Sequence, residues 1–212
     1  MRRRSLLQLA ATGLVLPLLA AMPPEAPILR RASFSELGDA VVMEIDVREL
    51  LRSSDEEAMA SLESGFATRI VFEVGLFKFG GRRPVAIVRR ELELHYDPWN
   101  ERWVMVSRDG GSRPSTREFS LRGDLIAAAT RLRIRVGDAH TMQRGASNPY
   151  FVRVSALRNP ISVDEDPSLA ETRGQRSDLS VFSRWVGIFA ASRPRAELVV
   201  ELRTLAFYLV AR

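Results

Sequence analysis

The chain has 212 residues, of which 46% are hydrophobic and 27% charged, with no cysteine and a formal charge of +5. The missing thiols exclude disulfides and thiolate zinc sites, so the fold must hold by packing. Three of the positive charges are Arg2, Arg3 and Arg4, which leaves about +2 for the rest; nucleic-acid binding would need a concentrated basic face instead. Lys78 is the only lysine among 31 basic residues, a bias that fits GC-rich coding.

Residues 1–26 read as an export signal and its lead-in. Arg2–Arg4 form a basic n-region, Leu6 to Leu19 is an apolar run, and Ala20-Ala21 offers a cleavage site. A run of 14 residues falls short of the roughly 20 that a bilayer-spanning helix requires. No transmembrane span is therefore expected once the signal is removed. Arg3-Arg4 with Leu6-Leu7 also resembles the twin-arginine export motif. Either route implies a periplasmic or otherwise extracytoplasmic location.

Residues 27–212 are expected to form one domain. Val41, Met43, Ile45 and Val47 alternate with more polar neighbours, the period of a half-buried strand. A short helix follows, with Ser54 as its cap, acids in the first turn and Gly65 at its end. Ile70 to Phe79 is rich in β-formers and Gly80-Gly81 turns the chain. Residues 86–96 and 103–106 make a hairpin around the turn Asp97-Pro98-Trp99-Asn100. Arg90 breaks the alternation there, as a strand end would, or as a long stem lying along apolar surface would. Residues 110–115 form an exposed loop. Leu121, Leu125, Ala128, Ala129 and Leu132 follow helical spacing, which predicts a helix over 121–133. Residues 150–157 form a strand, 162–177 a mobile loop, 179–190 a short helix, and 198–210 the last strand. The whole reads as α+β: a mainly antiparallel sheet or β-sandwich of about six strands, with two or three packed helices.

Candidate chemistry is sparse. His95 with Asp97, and His140 with Asp138, each supply two ligands on one strand face, but a metal needs a third and fourth. Asp164-Glu165-Asp166 lacks the spacing of a calcium loop. No nucleophile elbow is present. Glu91 and Glu93 share a face, which alternating charges on a wet sheet explain. Gly80-Gly81-Arg82-Arg83-Pro84 lacks the ending of a phosphate loop and suits a hairpin turn. No catalytic residue, cofactor or metal is expected. Arg131, Arg133 and Arg135 form a basic stripe, read as the positive end of the 121–133 helix; contact with anionic lipid heads or an acidic partner is the alternative. Strand 70–79 is apolar on both faces, with Phe77 and Phe79 on the second. The expected cover is the helices at 121–133 and 179–190; a pocket or a partner is the alternative.

Three stretches resemble an exported bacterial family, domain-of-unknown-function family 4390. They are Ala60–Gly65 running into a strand, Arg90–Asp97 running into Trp103–Val106, and Tyr150–Arg153. The resemblance covers roughly residues 40–160. It implies an envelope role, with some members encoded near membrane sensor kinases, and carries over no catalytic residue. The function expected is that of a non-catalytic envelope module binding another protein, possible partners being membrane sensors or assembly factors. The alternative is a carrier or sensor of a small apolar or lipid ligand held between sheet and helices, and a hydrolase with a hidden site ranks third.

Overall fold

A computed structural model describes residues 27–110, 112–160 and 196–210. Most of them are β-sheet: β1 (Ile28–Arg30), β2 (Ser33–Leu37), β3 (Ala40–Asp46), β4 (Thr68–Lys78), β5 (Pro84–Asp97), β6 (Arg102–Asp109), β7 (Ser115–Phe119), β8 (Arg131–Asp138), β9 (Tyr150–Pro160) and β10 (Ala196–Thr204). Two α-helices, α1 (Glu56–Glu63) and α2 (Arg122–Thr130), and a 3-10 turn at Arg48–Leu51 complete the described elements. The α+β class holds. The sheet is mixed rather than purely antiparallel, because β1 runs parallel to β10.

Seven strands form one sheet in the order β1-β10-β9-β4-β5-β6-β7, and three form another in the order β2-β3-β8. One face of the large sheet carries Phe72, Val74, Leu92 and Val154; the small sheet contributes Met43, Ile45, Leu132 and Ile134 to the same hydrophobic cluster. Phe72 is fully buried at its centre, a placement that contributes about 1.5–3 kcal/mol. Leu62 of α1, and Leu125 and Ala129 of α2, close the cluster. Among the described residues no helix is long and apolar enough to cross a membrane.

The long apolar strands form where the pattern predicts them. The β5–β6 turn does too: Asp97 Oδ1 accepts the Trp99 amide (2.9 Å) and the Asn100 amide (3.3 Å). Five expectations need correction. The cap of α1 is Asp55, not Ser54, since its Oδ1 accepts the Ala58 amide at 3.0 Å. The helix expected over 121–133 stops at Thr130, and its tail is strand β8. Among the described residues there are ten strands rather than about six, because β1, β2 and β7 are short and exposed and leave little pattern. The last strand ends at Thr204 instead of Val210: the Leu205 amide turns to the Arg30 carbonyl (3.3 Å), leaving one bridge at Phe207. Finally, α2 does not cover the second face of β4; its buried residues join the inner cluster. The leader (1–26), the 162–177 loop and the 179–190 helix lie outside the described residues.

Candidate functional site

The small sheet is narrower than the large one. It ends at β8, whose far edge pairs with no strand among the described residues. Beyond that edge the inner face of β5, β6 and β7 continues. A cleft of about 300 Å³ opens between β8 and α2 on one side and this overhang on the other. Its floor is apolar: Phe72, Leu92, Met105 and Leu132. Its rim is polar: Ser107, Asp109, Ser115 and Arg117 from the overhang, with Arg131 and Arg133 from β8.

Arg90 lies at the centre. It stands opposite Asp109 across the β5–β6 ladder, and its guanidinium forks onto that carboxylate at 2.5 and 2.7 Å. A third bond runs from Nη1 to the backbone carbonyl of Arg133 at 2.6 Å. That bond fixes the orientation of β8. The Arg133 carbonyl points away from β3, and in an antiparallel strand the amide of the same residue points the same way. By the period of two, Arg131 and Arg135 share this orientation. The edge of β8 away from β3 therefore carries backbone groups of three arginines, of which the Arg131 amide is taken by the Ala127 carbonyl at the end of α2 and the Arg133 carbonyl by Arg90.

The side chains of these arginines project to solvent, while Leu132, Ile134 and Val136 between them are buried. Arg131 lies 3.6 Å from Glu44, and Arg135 lies 3.4 Å from Asp138; both pairs are well exposed. Arg133 stands opposite Glu44 in the ladder yet makes no ion pair among the described residues. Arg131 is the C-cap of α2, so the reading as a complement to a helix dipole applies to that residue alone; Arg133 and Arg135 lie on β8 beyond the helix.

Phe77 and Phe79 lie elsewhere. Phe77 is buried on the opposite face of the large sheet, stacked on Phe151 with ring centres 5.4 Å apart. Phe79, 57% exposed, meets Phe151 edge-on at 6.4 Å. Arg153 sits over both Phe77 and Phe151. Gly75 makes room for this arrangement, since a Cβ there would come within 2.8 Å of the Phe77 ring. The structure does not bring these aromatic residues together with the arginines of β8.

The weighed chemical candidates resolve into local contacts. His140 Nε2 lies 2.6 Å from Asp39, and the His140 amide donates to Asp138. Asp97 holds its own turn: the Asn100 side chain, then the Trp99 amide, keep its carboxyl below the usual range. Glu91 meets Arg69 at 2.6 Å and Glu93 meets Arg108 at 3.1 Å on the wet face of β5 and β6. Among the described residues no group of three His, Asp or Glu could hold a metal.

Sequence reading found Arg131 and Arg133 but missed Arg90, Ser107, Asp109, Ser115 and Arg117. These join only through cross-strand register, which a linear pattern does not encode. The one available signal was the break at Arg90, an arginine where an inward-facing apolar residue was due. No family model matches the chain, and neither does any curated protein or solved structure.

Proposed function

We propose that this protein is a non-catalytic binding module of the cell envelope, which takes an extended segment of a partner protein along the free edge of β8. The observation that carries this reading is the β8 edge, unpaired among the described residues and bordering a cleft rimmed by β5, β6 and β7. A strand added there finds backbone donors and acceptors on one side and the arginine side chains of β8 beside it, the pairing of main-chain affinity with side-chain specificity that strand addition uses. The leader-like residues 1–26 and the resemblance to family 4390 support the envelope location. The cleft holds serines and arginines, while His95 and His140 are not among its lining residues, so the cleft itself supplies no imidazole base to a serine.

A photo-crosslinking residue at position 133 of the full chain, in the intact envelope, should yield one discrete adduct. With the crosslinking residue placed at position 135 instead, Arg133→Pro removes an amide that faces the β8 edge and is not used by β3, so it should abolish the adduct without unfolding the sheet. An adduct that survives this substitution, or a smear with no discrete partner, refutes the reading. Deleting residues 1–26 should strand the chain in the cytosol; unchanged fractionation would refute the envelope assignment.

A second reading, the carriage of a small apolar molecule, draws on the floor of Phe72, Leu92, Met105 and Leu132. The cleft volume, about 300 Å³, lies at the lower limit of ligand pockets, and its polar rim suits a peptide better than an acyl chain. Native mass spectrometry showing a co-purifying lipid would reverse this order.

A further inference from the structure

The chemistry of the incoming segment is written on β8. A strand paired with the free edge places alternate side chains beside Arg131, Arg133 and Arg135, and the others toward the cleft floor. On the wet face the three arginines meet only one carboxylate from β3 within ion-pair distance, Glu44 at 3.6 Å from Arg131. Asp46, the other acid at that end of β3, is engaged with Arg48 at 2.7 Å. Arg135 has only the loose contact with Asp138. This face therefore carries surplus positive charge next to an edge whose Arg133 amide and Arg135 backbone groups face away from β3.

The other side chains of the incoming strand would lie over Leu92 and Met105, both buried. Arg90 stands at the centre of that zone, and Ser107 and Arg117 stand at its outer rim. β-branched side chains between the partner's charged positions favour the extended backbone that pairing with β8 requires.

We infer that the partner segment is an acidic–apolar alternating strand, with Asp or Glu at every second position opposite Arg131, Arg133 and Arg135 and Val- or Ile-like residues between them. This inference rests on the strand-addition reading above. It also disfavours a second copy of the chain as the occupant, because two β8 edges paired together would set arginines against arginines.

The test uses the full chain and blocked synthetic peptides of roughly eight residues, about the length of β8. One alternates glutamate with valine, one threonine with valine, and one lysine with valine. The glutamate–valine peptide should bind most tightly, on the order of tenfold better than threonine–valine, with the lysine–valine peptide weakest. Its affinity should fall several-fold when salt rises from about 0.05 to 0.5 M. Arg131→Glu with Arg133→Glu should erase the preference, and the milder pair Arg131→Gln with Arg133→Gln should reduce it, with melting temperatures unchanged in both.

Equal binding of the glutamate and threonine peptides would leave strand addition standing and overturn the acidic preference. No binding of any of the three would overturn both. Binding of phosphatidylglycerol vesicles through the same arginines, with no peptide binding, would show that the stripe reads lipid head groups and would also overturn the inference.

Discussion

Arg158 and Arg133 sit on strands of the same protein and do opposite things. Arg158, on β9, is buried, its side chain only 7% exposed. Nη1 reaches the Leu50 carbonyl at 3.0 Å and Asp55 Oδ2 at 2.7 Å, and Nε reaches Glu197 at 3.3 Å. One guanidinium thus ties the 3-10 turn, the cap of α1 and the start of β10 to β9. Arg133 is exposed and makes no ion pair among the described residues, while its backbone carbonyl faces a cleft. In a chain that uses arginine almost exclusively for positive charge, residue type says nothing about role. Local geometry decides whether the charge is consumed by the fold or left for a partner.

That contrast breaks first at Arg158. Removing it leaves the buried Leu50 carbonyl without this donor and takes the partner from two part-exposed carboxylates, Asp55 and Glu197; breaking a fully buried pair costs about 3–5 kcal/mol, which sets the upper bound. Glu197 is about half exposed and recovers hydration, so Arg158→Ala should cost about 3 kcal/mol. For a domain of this size that lowers the melting temperature by roughly 6–12 °C, which calorimetry would read. A loss below about 1 kcal/mol would mean that Arg158 is not the tie its contacts suggest.

Arg90 stands between the two extremes. It holds Asp109 by a fork and covers one carbonyl of the β8 edge. Asp109 is 42% exposed, so Arg90→Ala should cost only about 1–2 kcal/mol. The same change uncovers the Arg133 carbonyl and should strengthen peptide binding at β8, since edge strands are commonly guarded against such pairing. Lower stability with tighter strand binding would separate the two jobs of this residue; weaker binding would place Arg90 among the groups that contact the partner.

Acid should act on the Arg158 side. The Ala58 amide first, and then Arg158, hold the Asp55 carboxyl below its ordinary value of 3.8. Arg30 does the same for Glu49 against an ordinary 4.5. A carboxyl whose pKa is lower in the folded state binds its proton more readily when unfolded. Its stabilisation is therefore complete above the unfolded value and drains away as pH falls through the folded one. Stability should hold from neutral pH to about pH 5, then fall below about pH 4. Asp55→Asn keeps a good helix cap but removes this carboxyl, so its acid denaturation curve should be shallower. An unchanged slope would mean that other carboxyls govern acid unfolding.

The two regions were unequally legible in sequence. Around Arg158, strands β3, β4 and β9 announce themselves by alternation or by continuous apolar runs, and α1 by its acids and glycine stop. The cap shifted by one residue because Ser54 and Asp55 are both competent acceptors, and only the geometry selects Asp55. Around Arg133 the reading failed at one junction. Leu125, Ala129 and Leu132 keep a helical spacing across the true boundary at Thr130, so a period of 3.6 ran into the first inward residue of β8. The alternation from Arg131 to Val136, with β-branched Ile134 and Val136, was the stronger signal and was subordinated to the helix. The cleft itself was illegible for a different reason. Arg90, Ser107 and Arg117 are far apart in the chain and meet because β5, β6 and β7 lie in register. Nothing local to any of the three specifies that alignment.

The smallest expected effect is the most discriminating. Arg133→Ala removes an exposed side chain with no ion pair among the described residues, flanked two positions away on either side by Arg131 and Arg135. Little Coulomb attraction is lost, and some like-charge repulsion along the face is relieved. Stability should therefore stay within about 0.5 kcal/mol of the parent, a shift in melting temperature of no more than roughly 2 °C. A loss comparable to that at Arg158 would show that the Arg133 side chain is already engaged by the fold. The surplus charge on β8 would then be spoken for, and the edge would have no arginine free to select a partner.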